Sequence, residues 1–370
     1  MLEIIPSPEN VKTPAAMELF LHALYQTSGE TTWIDRWVLG KVRTWFSLEL
    51  VSIEGKVKFY IWCEAKMKRL VESQIYAHYP GSEVVEVKED YALRFNTKDF
   101  DMKITELALK KPDPYPIKTY IDYELDKPVD EEYKADPIAS IIEFMSAVPE
   151  GNYACLQFIV RAHKAEDKDM SRLFPSFSKK VDNWKIVAKK EVEKIKKSSF
   201  MEFDEGDRKR KQNIQTELQK KIINALERST TKFAFDTGIR VMYIGKNGLY
   251  DNKHGVLNGL LRQFNSDELN VFGTGSSTGF ADYPWQDYFG TRKMRRKKEM
   301  LESYQARYYY WKKEWVPRLW FWDQKDYRKP MILNTEELAT MYHFPGLVSQ
   351  APTLNRVDSR KVSPPDNLPM

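Results

Sequence analysis

The stretch NVFGTGSSTGF, Asn270 to Phe280, has the composition of a phosphate cradle, with three glycines and several hydroxyls after a short apolar run. Gripping a triphosphate that way takes curled backbone N–H groups, a lysine for the outer phosphates and a helix behind them. Gly40-Lys41, Gly55-Lys56 and Gly245-Lys246 are followed by Val, Val and Asn, not by Ser or Thr. Downstream, Pro284 and scattered aromatics deny an immediate helix, so the stretch reads as a flexible linker. The five histidines, His22, His78, His163, His254 and His343, show no metal-ligand spacing, and no G-x-S-x-G elbow occurs. Cys63 and Cys155 sit in apolar alternating segments, as small core residues do. These absences imply no cofactor and no metal, and they leave an enzyme only the route of a site assembled from distant residues.

One patch is chemically pronounced. Six of the seven residues from Arg292 to Lys298 are basic (Arg292, Lys293, Arg295, Arg296, Lys297, Lys298), and Tyr308, Tyr309, Tyr310, Trp311 and Trp315 follow. Bases of this kind neutralise phosphates, and flat rings stack on unpaired nucleobases at roughly 1–3 kcal/mol each. Single-stranded DNA is therefore one candidate partner. The same mixture suits the interfacial layer of an anionic membrane, where each basic residue adds about 1 kcal/mol. The bland alternative is a surface helix whose rings pack inward while its charges meet solvent or an acidic protein.

The elements that must position this patch follow from the pattern of the chain. At 370 residues, 30% charged and 42% hydrophobic, the polypeptide can bury a sizeable core, and its net charge of +5 implies nothing about nucleic acid by itself. No run approaches ~18 apolar residues, and LEIIPSPEN is no signal peptide. LEIIP predicts a strand, and Thr13-Pro14 opens a helix through Met17, Phe20, Leu21 and Leu24. TWFSLELVSIEGKVKFYIWCE predicts a hairpin turning at Glu54-Gly55; Met67, Leu70, Val71 and Ile75 mark a helix, and EVVEVKEDY a strand. The order β-α-β-β-α-β is the split βαβ, ferredoxin-like pattern.

The pattern recurs. KTYIDYEL predicts a strand, Asp136-Pro137 opens a helix, and NYACLQFIVRAHK and TKFAFDTGIRVMYIGK predict long strands. Val256 to Phe264 then predicts a helix and DELNVF a last strand. An insert at about 165–230 carries two helical stripes, from Val181 and from Ile214, joined by the polar turn SSFMEFDEGDRKRKQ. The expected fold is thus α+β: two tandem ferredoxin-like modules, 1–95 and 96–275, the second with an inserted antiparallel helical hairpin. A basic and aromatic helical segment, 276–345, and an extended linker, 346–370, complete it. Within the former, Asn334 and Glu337 have capping-box spacing.

WFSLELVSIEGKVKFYIWCEAKMKRLVESQIYAHYPGSEVVEVKEDY, FDTGIRVMYIGK, YPWQDYF and LNTEELATMYHFPGLVSQAPTLNRVDSRKVSPPDNLP together resemble the region that precedes the motor domain in TraG-like coupling ATPases of conjugation and type IV secretion, as found in candidate phyla radiation bacteria. The resemblance spans nearly the whole chain. It implies a non-catalytic accessory or docking domain, with the nucleotide site on a motor domain in the same or an adjacent polypeptide. It further implies a cytoplasmic protein peripheral to the inner membrane, with the motor, membrane channel components and copies of itself as partners. A free-standing single-stranded nucleic-acid-binding protein, working through residues 292–298, Tyr309 and Trp311, is the alternative.

Overall fold

The computed structural model describes residues 1–7, 12–28, 42–127, 136–164, 183–205, 208–213, 215–279, 285, 287–308 and 330–345. The first half contributes β1 (Leu2–Ile5), α1 (Pro14–Ala23), β2 (Trp45–Ile53), β3 (Lys56–Cys63), α2 (Lys68–His78) and β4 (Glu83–Glu86). The second contributes β5 (Phe100–Leu109), α3 (Pro137–Ser146), β6 (Asn152–Ala162), β9 (Ala234–Lys246), α6 (His254–Leu260) and β10 (Phe272–Ser277). Between β6 and β9 come α4 (Asn183–Ser198), β7 (Phe200–Glu205), β8 (Arg208–Asn213) and α5 (Glu217–Thr231). The chain ends its described course in α7 (Thr291–Gln305), β11 (Met331–Asn334) and α8 (Thr335–Met341).

Among the described residues nine strands make one antiparallel sheet, making the protein α+β. Its order is β10-β5-β9-β6-β2-β3-β1-β4, with β11 added to β9. The halves therefore meet along β2 and β6, which pair from Trp45↔Arg161 to Ile53↔Tyr153 with Glu49 opposite Gln157 at the middle. β9 is long enough to serve two neighbours on one side. Its Arg240–Lys246 end pairs β5, and its Ala234–Thr237 end pairs β11. Covered on both faces, β6 and β9 are buried along nearly their whole length.

One face carries most of the core: Phe46, Leu48 and Leu50 of β2, Leu156 and Phe158 of β6 and Ile239 and Val241 of β9 lie under the helices. α8 sits in the middle of this layer, against α1 and α3, with all seven residues buried. Its capping box forms as its spacing predicts: Asn334 Oδ1 accepts from Glu337 N, and Glu337 Oε2 accepts from Asn334 N. The opposite face is covered more sparsely, by the turn at Tyr91–Arg94 and by Met300, Leu301 and Tyr304 of α7.

Five local expectations change, the first being DELNVF, of which only Phe272 lies in a strand while Asp267 to Leu269 form a bend. The first strand of the second half is β5, FDMKITELAL, whereas KTYIDYEL folds as turns tied by Thr119 N to Asp122 Oδ2 at 2.9 Å. The glycine stretch is not a loose linker, since Phe272–Ser277 is an edge strand on β5 with a bulge between Thr274 and Ser276. Glycine inside a strand often marks a bulge, and Gly275 is the residue at the register shift. The supposed polar turn of the insert is the β7–β8 hairpin, where Glu202 faces Lys211, Asp204 faces Lys209 and Glu205 faces Arg208. Thr13 precedes α1 without a side-chain cap bond, leaving Pro14 to set the entry. The expected first stripe runs through α4 from Trp184 to Ile195, while Val181 and the linker 346–370 lie outside the described residues.

The β2–β3 turn has Glu54 at φ 52° and Gly55 at φ 86°, the all-positive geometry that suits a two-residue hairpin. A Cβ on Gly55 would lie 3.0 Å from Ser146 O and 3.1 Å from Val148 O, so this turn is pressed on the end of α3. Gly55→Ala should therefore destabilise the fold by about 1–3 kcal/mol, measured as a lower urea midpoint at constant slope.

Candidate functional site

The basic helix is bolted to the sheet from its far end. α7 terminates with Tyr308 N donating to Ser303 O and Arg307 N to Tyr304 O, the paired bonds of a Schellman end. The left-handed position, normally glycine, is held by Arg307 at φ 51°. An arginine there costs about 1 kcal/mol of backbone strain, and its side chain supplies the compensation. Nε and Nη2 of Arg307 donate to Glu49 at 2.8 and 3.2 Å, and Nη2 to Asp90 Oδ1 at 3.0 Å. Burial works against the guanidinium charge, but Glu49 and Asp90 outweigh it and hold the group more firmly protonated than usual.

Glu49 is fully buried at the centre of the sheet and accepts from Ser47 Oγ (2.7 Å), Tyr91 OH (2.8 Å) and Gln157 Nε2 (2.9 Å) besides Arg307. Arg240 on β9 completes the clamp, donating to Glu106 Oε1 at 2.7 Å and to Ser303 O at 2.8 Å, so it satisfies a carbonyl in the last turn of the helix. Every one of these groups faces the side of the sheet on which alternation with Leu48 and Leu50 would predict solvent.

With its C-terminal end fixed, α7 carries the predicted basic residues along the sheet edge. Arg292, Lys293, Arg295 and Lys298 are exposed, whereas Arg296 and Lys297 are half-buried. Arg296 Nη2 donates to Ser276 Oγ of β10 at 2.6 Å, and Lys297 pairs with Asp101 of β5. Arg295 pairs with Glu299 at 3.4 Å and Lys298 with Glu302 at 3.9 Å. The structure thus divides the six bases: two brace the helix, two are matched within it, and Arg292 and Lys293 stand at its first turn, where Asp287 accepts from both backbone N–H groups. Tyr309 and Trp311 lie outside the described residues. Sequence reasoning missed Glu49, Gln157, Arg240 and Arg307; the available signal was polar residues mid-strand on β2, β6 and β9.

A second cluster surrounds α8. Glu18 accepts from Lys232 Nζ (2.6 Å), Tyr120 OH (2.7 Å) and Thr335 Oγ1 (3.1 Å), and Glu336 from Thr119 Oγ1 (2.6 Å) and Arg228 (3.0 Å). Burial raises the Glu336 carboxyl and pushes Glu337 up to about 8, although two backbone N–H groups bind the latter. The histidines serve structure as well: His343 Nε2 meets Asp136 at 3.1 Å, and His163 Nδ1 meets Asp236 at 2.6 Å. Among the described residues no group of three or more His, Cys, Asp or Glu is placed to hold a metal. A shallow hollow between Asp122, Glu217, Lys220, Lys221 and Arg228 is lined by charges already paired, Lys220 with Glu217 and Lys221 with Glu268. No described helix is long and apolar enough to cross a membrane.

Fold and site together define an α+β domain built on one antiparallel sheet, with interior charges bound to one another and a basic helix laid across one edge. The chain belongs to the family described as domain of unknown function (DUF8128), whose model matches residues 1–353. No curated protein matches it.

Two measurements test the site's electrostatics. Arg307→Met should cost about 3–5 kcal/mol in urea unfolding, because Glu49 is then buried without its counter-charge, and adding Glu49→Gln should recover a large part. Arg307→Gly should be less damaging than Arg307→Ala by about 1 kcal/mol, since glycine accepts the positive φ. For Glu337, a folded pKa of about 8 against an ordinary 4.5 means the folded chain holds a proton that the unfolded chain has lost between those values. Its stabilising contribution is full below about 4.5 and disappears as pH rises through about 8. Thermal midpoints should accordingly fall across that window, and Glu337→Gln should flatten the slope.

Proposed function

We propose that this chain is a non-catalytic docking domain serving a TraG-like coupling ATPase of conjugation or type IV secretion, carried on the same or an adjacent polypeptide. The sequence resemblance points to that partner. The observation that carries the non-catalytic part is the disposition of the interior ionisable groups. Glu49, Arg307, Arg240, Glu18, Glu336, Asp236 and His163 are bound to opposite charges, hydroxyls or backbone, and so act as structural clamps. Catalytic acids and bases would instead converge on a cleft.

On this reading the two halves are ferredoxin-like modules joined side by side. In each, the fourth, first, third and second strands lie in that spatial order, as β4-β1-β3-β2 and β10-β5-β9-β6. The continuous ladder between β2 and β6 makes the pair a rigid platform, a property that suits holding a motor against a channel at the inner membrane. The alternative, a free-standing binder of single-stranded DNA, draws on the exposed Arg292, Lys293, Arg295 and Lys298.

The purified chain should neither bind ATP at micromolar concentration nor hydrolyse it with magnesium, and it should co-purify with the coupling ATPase from its own genome when the two are expressed together. Magnesium-dependent turnover that survives purification would end this reading. Failure of the two proteins to associate would remove the assigned partner.

A further inference from the structure

The approach to α7 carries side chains that a water-soluble surface rarely shows together. Phe289, Tyr288 and Trp285, at 84%, 82% and 74% exposure, are the three most exposed large apolar residues described, and Met294 on the first turn of the helix is 67% exposed. Arg292, Lys293 and Arg295, all exposed, lie within the same turn. We propose that this tip docks on a bilayer containing anionic lipids, the rings and the Met294 thioether entering the interfacial layer and the bases meeting headgroup phosphates.

Charge and ring geometry favour lipid over nucleic acid. Amphipathic rings settle at the level of the headgroups, and neighbouring Lys and Arg are drawn by the negative surface potential. A nucleic-acid track would need flat faces for successive bases and cations along the path of the backbone. Tyr288 and Phe289 instead stand edge to face, with centroids 5.2 Å apart and planes at 83°. Further along, Glu299 and Glu302 accompany Arg295 and Lys298, placing carboxylates where phosphates would run. Arg292 and Lys293 are exposed beside the rings, which suits a shallow point of insertion. Met294 adds apolar surface and nothing to stacking. The anchor at the other end of the helix, Arg307 on Glu49 and Asp90, keeps this tip at a fixed place on the sheet edge. The inference stands apart from the ATPase reading, since a chain with no motor partner would still bind vesicles.

Flotation of the intact chain with phosphatidylcholine vesicles, with or without phosphatidylglycerol, tests it. Recovery is expected with the anionic vesicles, declining as salt rises. The double variant Tyr288→Ser, Phe289→Ser should lower partitioning by about tenfold or more, and Arg292→Glu, Lys293→Glu should do the same. Leu93→Ser, which removes an exposed apolar residue elsewhere, should change nothing. Unaltered thermal midpoints establish that the variants fold. Absence from the anionic vesicles, undiminished recovery of both double variants, or preferential binding of a fluorescent oligothymidylate would each overturn the proposal.

Discussion

The carboxylate of Glu49 sets the terms for everything on the second face of the sheet. Placed at the midpoint of the β2–β6 seam and removed from water, it would be intolerable alone, since an unpaired buried charge costs several kcal/mol. Ser47, Tyr91 and Gln157 bring hydrogen bonds and Arg307 brings the charge. Meeting that demand fixes the end of α7, the turn at Tyr91 and, through Arg240, the alignment of β9 beneath the helix. The exchange is specific in register, because a slip of one residue on β2 would turn Glu49 into the apolar layer.

The two faces of the sheet are stabilised by different physics. The first is a broad apolar layer, each fully buried Leu, Ile or Phe contributing on the order of 1.5–3 kcal/mol, with α8 filling its centre. The second has a smaller apolar patch around Met242, Met300 and Tyr304 and depends more on directional bonds. Directional bonds orient what they hold, so it is on this face that a surface helix ends up with a defined position and a defined exposed end.

Legibility in the sequence tracked the range of the interaction. Local signals were readable: the Glu54-Gly55 turn, the helical stripe from Ile138 to Met145 and the reciprocal cap of Asn334 and Glu337 all formed as spacing predicts. β5 was missed because Met102 and Ile104 pack on one face and Leu107 on the other, so its alternation is blurred, whereas YIDYEL alternates by accident. The division of labour among the six bases depends on Ser276 and Asp101, neither of which is near them in sequence. Glu49 looked like an ordinary solvent-facing residue, since nothing local to β2 says that a helix will cover it.

That distance has a temporal side. The bond between Glu49 and Arg307 closes a span of 258 residues, and contacts of such separation form only after the entropy of closing the intervening loop has been met. A ribosome making this chain delivers the hairpin of β2 and β3 long before the guanidinium. Until Arg307 has been made, the nascent sheet must therefore keep its middle hydrated, and it is dehydrated only once that side chain arrives.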